Sequence, residues 1–101
     1  MKRTYHISLN IKTPDGGFEA YGRYELGSDK AFARMLFEQL KGDEGVFERS
    51  VLHMDLTEVE NGIPFVQAVR HCTLDELADN TRRITCGVFK RFALDGSAFD
   101  T

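Results

Sequence analysis

The stretch from Val51 to Phe92 constrains the fold more than any other part of the chain. Asn61-Gly62 separates two segments of strand-like composition, and both turn positions tolerate positive φ, so the segments are expected to fold back as a hairpin. Pro64, just after the turn, suits an edge strand or an N–H that needs no partner. Thr73-Leu74-Asp75-Glu76 then reads as a capping box, in which Thr73 and Glu76 satisfy each other's backbone N–H groups. From there the apolar period changes. Leu74, Leu77, Thr81, Ile84, Val88 and Phe92 fall on one helical stripe. Asp79 and Arg83 form an i,i+4 pair on the outer side. Gly87 inside this helix costs about 1 kcal/mol against alanine unless it permits close packing. Asp95-Gly96 is the expected end.

Tyr5 to Leu40 has the same layout. Tyr5, Ile7, Leu9 and Ile11 alternate with His6, Ser8, Asn10 and Lys12, the pattern of a half-buried strand. Thr13 to Gly17 is a turn, and Phe18 to Leu26 alternates as the return strand, with Gly22 marking a bulge or close backbone contact. Ser28 is the expected N-cap, supported by Asp29, and Gly42 the expected C-terminal stop. Phe32, Met35, Leu36 and Leu40 make the inward helical face, flanked by Ala33 and Phe37. Phe37 widens this stripe, so it either reaches the second helix or leaves an exposed apolar edge.

The predicted architecture is therefore α+β, in the order ββαββα, with a four-stranded antiparallel sheet and two helices packed on one face. Residues 1–96 are read as one domain of two ββα units, about 4–42 and 50–94, with 97–101 a loose tail. Val46 and Phe47 in the connection are expected to tuck onto the core edge. Ser28 and Thr73 are 45 residues apart, and Ile7, Leu9 and Ile11 precede Leu52, Met54 and Leu56 by the same interval. An internal duplication and a chance likeness both fit this match of pattern. In the strand Phe65 to Cys72 the two faces compete: Phe65 and Val69 against Val66 and Ala68. A strand apolar on both sides suits burial on both faces or cover by a partner chain.

At 101 residues the chain has length enough for a core without metal or disulfide staples. A net charge of -3 disfavours nucleic acid, whose binders replace phosphate counterions with a basic surface. Arg23 and Arg70 are the residues such binding would use. No run is long enough to cross a membrane. The N-terminus leads into a strand pattern without a signal-peptide core, and two unpaired thiols, Cys72 and Cys86, fit a reducing, cytoplasmic setting.

No motif demands a catalytic mechanism, a cofactor or a metal. Gly16-Gly17 is a turn and not a phosphate loop, and no nucleophile elbow or paired Cys-x-x-Cys occurs. The chain is read as non-enzymatic, with no catalytic residue assigned. His71 and Cys72 are strand neighbours pointing to opposite faces, so they cannot act together. Cys72 is expected to be a small buried hydrophobe, and Cys86 to be packed beside the helix stripe.

If both helices cover one side of the sheet, the other side carries His6, Ser8, Asn10, Tyr21, Arg23, His53, Asp55 and Thr57. The first functional reading is a small protein that self-associates, as a homodimer, or binds a protein partner through this open face. The alternative is a small-molecule or metal site around His6, His53 and Asp55, since alternate strand residues share a face and could converge on one ligand. Tyr21 and Arg23 are the further candidates for ligand contact.

Overall fold

The computed structural model describes residues 3–45 and 50–94. Local chemistry sets its boundaries. Gly16 at φ 92° closes the first turn, and Asn61 and Gly62 at 53° and 84° close the second. These conformations join β1 (Arg3–Lys12) to β2 (Phe18–Gly27), and β3 (Leu52–Glu60) to β4 (Ile63–Cys72). Each hairpin is followed by a helix, α1 (Lys30–Glu38) or α2 (Leu74–Phe89), and α2 runs on into a π-helical segment, Lys90–Leu94. The strands form one antiparallel sheet in the order β2-β1-β3-β4. The first strand of each hairpin is thus central and the second lies at an edge. The fold is α+β.

The capping box at Thr73 forms as read. Its hydroxyl accepts from the Glu76 N–H at 3.2 Å, while Glu76 accepts from the Thr73 N–H at 2.9 Å. At the first helix the cap is Asp29 and not Ser28: the Asp29 carboxylate accepts from the Phe32 N–H at 3.1 Å. Asp29 reaches that N–H from the residue directly before the first helical turn. Its second oxygen accepts from Arg91 at 2.6 Å, which ties this cap to the end of the second helical segment.

Leu9, Ile7 and Tyr5 on β1 face Met54, Leu56 and Glu58 on β3. Tyr5, Ile7, Leu9, Leu52, Met54, Leu56 and Cys72 make the sheet side of the core, and Phe32, Ala33, Leu36, Phe37 and Ile84 make the helix side. Of the two outcomes weighed for Phe37, the exposed apolar edge is excluded: it is fully buried, with the Arg70 guanidinium over its ring at 5.1 Å. Met35, expected inward, is exposed. Leu74 is also exposed, because it sits at the first turn of α2 beyond the packed part of the helix. Cys86 is exposed as well, contrary to the expected packing. Val46 and Phe47, the Asp95-Gly96 stop and the Ser97 to Thr101 tail lie outside the described residues.

Two glycines are explained by close approach. A Cβ on Gly87 would meet Leu36 Cδ1 at 2.9 Å, so its absence lets α2 press against α1. Gly42 does not stop α1, which ends at Glu38. It lies at φ 137°, and a Cβ there would meet the His71 carbonyl oxygen at 2.8 Å. Gly42→Ala is therefore expected to cost about 2 kcal/mol of stability, since both the backbone region and the space favour glycine. A urea titration checks this; an unchanged midpoint would contradict the packing described.

The ambiguous faces of β4 have a simple cause. The register with β3 runs Leu56↔Ala68 and then Thr57↔Val66, so Gln67 is an extra residue in a bulge. A bulge shifts the alternation by one residue. Ala68 lies on the core side before the shift and Phe65, opposite Glu58, lies on that side after it.

Candidate functional site

Side chains on the pleat opposite Leu9, Met54 and Leu56 come from alternate residues of the same strands. The register sets Asn10 opposite His53, Ser8 opposite Asp55 and His6 opposite Thr57 on the central pair. On β4, His71 lies opposite His53. A polar cluster forms where these rows meet. Asp55 Oδ1 lies 2.6 Å from His53 Nδ1, and Asn10 donates to Asp55 Oδ2 at 3.3 Å. A carboxylate only accepts, so the shared hydrogen sits on Nδ1 of His53, and in the neutral ring the lone pair is on Nε2.

His71 completes the group. Its ring centroid is 5.3 Å from that of His53, with 54° between the planes. Its backbone is fixed from outside the sheet: the His71 N–H donates to Asp43 at 2.6 Å and its carbonyl accepts from the Asp43 N–H at 2.9 Å. Phe18, at the start of β2, reaches across the face and meets His53 edge-on at 4.4 Å and His71 at 6.4 Å. The His71 Nδ1 is buried without a hydrogen-bond partner. Burying such an atom unpaired costs about 1–3 kcal/mol. Burial, and then the neighbouring His53, pushes the pKa of His71 below its usual range.

His53 and Asp55, singled out in the sequence, are thus in direct contact. His6 is not part of the group. It lies on the same pleat in the row beyond Asp55 and is buried between its neighbours. Tyr21 falls at the irregularity of the edge strand β2 and is exposed, while Arg23 pairs with Glu25 at 2.7 Å. The sequence reading placed Asn10 on this face without assigning it to the site, and it missed His71 and Phe18. Asn10 and His71 had the signal of strand alternation, but only the register places them beside His53. Among the described residues no three His, Cys, Asp or Glu side chains converge to hold a metal ion.

Cys72 is packed in the core, and the hydrogen bond its sulfur accepts from the Asn80 amide at 3.5 Å does not offset its burial. Burial, reinforced by Glu76, raises its pKa to about 11. It remains protonated near neutral pH and is a poor nucleophile.

A second surface lies at the far end of the β3–β4 hairpin. Ile63, Phe65 and Val66 are 57%, 50% and 59% exposed on an edge strand. The run Ile63 to Ala68 carries no charged residue. The nearby carboxylates have partners within the chain: Glu58 accepts from the Tyr5 hydroxyl at 2.8 Å and Glu60 pairs with Arg3 at 3.1 Å.

The buried histidines give a pH prediction. The His6 pKa is lowered from 6.5, first by burial and then by Arg23. His71 shifts the same way. A depressed histidine pKa means the unfolded chain binds protons that the folded chain resists. Stability is then fully present above about pH 6.5 and declines as the pH falls below it. Urea midpoints measured from neutrality down towards the carboxylate range should fall, and His6→Gln should flatten part of that slope. Midpoints that stay level or rise on acidification would contradict this.

Comparison with models of known protein families, with curated proteins and with solved structures yields no match to this chain.

Proposed function

We propose that this chain is a small, non-enzymatic self-associating protein in which two copies meet at the end of the β3–β4 hairpin. One observation carries the reading: an uncharged edge-strand run with Ile63, Phe65 and Val66 each half exposed or more. Edge strands of monomers are commonly guarded by charged side chains, and this run has none. A surface without charge also offers nothing to steer a charged partner. A second copy fits, because an edge strand can meet itself about a two-fold axis, each residue seeing its counterpart's neighbour. The carboxylates near by are already paired within the chain, so two copies can approach without like charges facing each other.

Pro64 and the bulge at Gln67 interrupt the outer edge of β4, and Asp43 already pairs with it at His71. The contact is therefore proposed to rest on side-chain packing more than on a continued backbone ladder. An interface of this kind is small, which suits micromolar affinity. The proposal takes the chain as one domain with both helices on one face, in a reducing cytoplasm. Leu77 beside Ile11 and Leu52, and Phe37 under Arg70, support the one-face packing. Duplication of the ββα unit accompanies it: Leu9 pairs with Met54, its counterpart at the 45-residue interval.

Val66→Asp tests the surface with little cost to the fold, since Val66 is exposed in the single chain. It should weaken association at least tenfold, by burying an unpaired charge in each copy, while leaving the thermal midpoint of the dilute protein almost unchanged. Association that is equally strong in the variant would remove this surface from the proposal.

A further inference from the structure

The histidine cluster lies apart from the hairpin end and supports a separate inference. We propose that His53 and His71 form a binding site for a divalent first-row transition metal ion of the zinc and nickel type, with water completing the coordination shell. Three observations point this way.

The first is separation. Two imidazoles sharing a tetrahedral ion through nitrogens about 2 Å from it have centroids about 5 Å apart. The rings of His53 and His71 are 5.3 Å apart before any ion is present. Cross-strand pairing of the two residues sets that distance, and the 54° tilt shows that the rings are not stacked.

The second is the support of His53. Its Nδ1 is held by Asp55, which Asn10 holds in turn. A carboxylate on the far nitrogen of a metal-binding histidine fixes the ring and raises its basicity. Asp55 is thus an outer partner, and it leaves Nε2 of His53 for the ion.

The third is the orphan atom. The His71 Nδ1 is buried and has no hydrogen-bond partner. A bound ion would satisfy it. Its backbone pairing with Asp43 holds it in place, and Phe18 shields both rings from one side. Imidazole nitrogens without a carboxylate in direct contact favour zinc or nickel over magnesium or calcium, which take oxygen ligands. Two protein ligands, where structural zinc sites use four, imply a weak and exchangeable ion.

Titration of the full chain with Zn²⁺ and separately with Ni²⁺, followed by calorimetry and by the NMR signals of the imidazoles, tests the site. The expected result is saturable binding of one ion per chain that shifts His53 and His71 and leaves His6 unmoved. His53→Ala and His71→Ala should each weaken binding at least tenfold, and Asp55→Asn about tenfold. His6→Ala should bind like the wild type. No saturation by about millimolar metal, or shifts confined to His6 and surface carboxylates, overturns the proposal without using any variant. Binding that survives both histidine substitutions overturns it too. None of these outcomes bears on association at the hairpin, which Val66→Asp reads independently.

Discussion

Phe37→Ala is expected to lower the stability of the fold by about 3–5 kcal/mol, the usual cost of emptying a fully buried phenylalanine site. Phe37 is among the largest completely buried side chains. It sits near the C-terminal end of α1, over the part of the sheet where Leu56, Ala68 and Arg70 meet. Alanine would remove the contact that fixes that end of the helix and would leave the Arg70 side chain over a void. Neighbours cannot collapse into the space easily, since the strands beneath are held by their own ladder. A domain of this size has about 5–15 kcal/mol in all, so the loss is a large fraction of it. Phe37→Leu should recover more than half. Equilibrium urea unfolding monitored by circular dichroism checks both; an alanine variant within about 1 kcal/mol of wild type would mean Phe37 is not the buried anchor described.

Asn80 should give the next largest loss. It is buried on α2 among apolar residues, yet its amide is fully used. Its Oδ1 accepts from the Lys41 N–H at 2.7 Å, and its Nδ2 donates to the Lys41 carbonyl at 2.8 Å. The same Nδ2 lies 3.5 Å from Cys72 Sγ and 3.6 Å from Met54 Sδ. One side chain thus pairs with both polar groups of a single backbone residue and pins the segment after α1 against α2. Asn80→Ala leaves the Lys41 N–H without its partner and the Lys41 carbonyl with the Cys72 thiol alone at 3.4 Å, at a cost of about 1–3 kcal/mol. Asn80→Leu should be no better, because added apolar volume does not satisfy those groups. Asp should restore the acceptor alone and lie between. Amide hydrogen exchange at Lys41 should rise in the alanine variant by more than at Leu9 or Met54, which a uniform loss of stability would not produce.

The sequence showed most of the frame. Asn61-Gly62, the capping box at Thr73 and the alternation from Tyr5 to Ile11 are local signals, complete within a few residues, and each appears in the structure where it was read. Most of what escaped depends on pairs of residues far apart in the chain, the first helix cap being the local exception. The cap at Asp29 differs from the expected Ser28 by one residue, since both side chains can accept and only the backbone decides between them. The bulge at Gln67 is invisible until the register with β3 is known, and it explains why the faces of Phe65 to Cys72 looked contradictory. Asn80 is polar and so falls outside any search for an apolar stripe; only its pairing with Lys41 explains its burial.

The candidate site divides in the same way. His53 and Asp55 are two residues apart on one strand, so their shared face follows from alternation alone. His6 shares that face too but lies a row too far along β1, a matter of register. His71 and Phe18 belong to β4 and β2, and nothing local brings either to His53. The strand order β2-β1-β3-β4 does, with Phe18 reaching across β1.

Sedimentation equilibrium of the wild-type chain over a range of concentrations tests the central claim most directly. Association at the hairpin end predicts a weight-average mass that starts near the 11.5 kDa of one chain and climbs towards twice that value by about 100 μM. A mass that stays at 11.5 kDa across the whole range would contradict it.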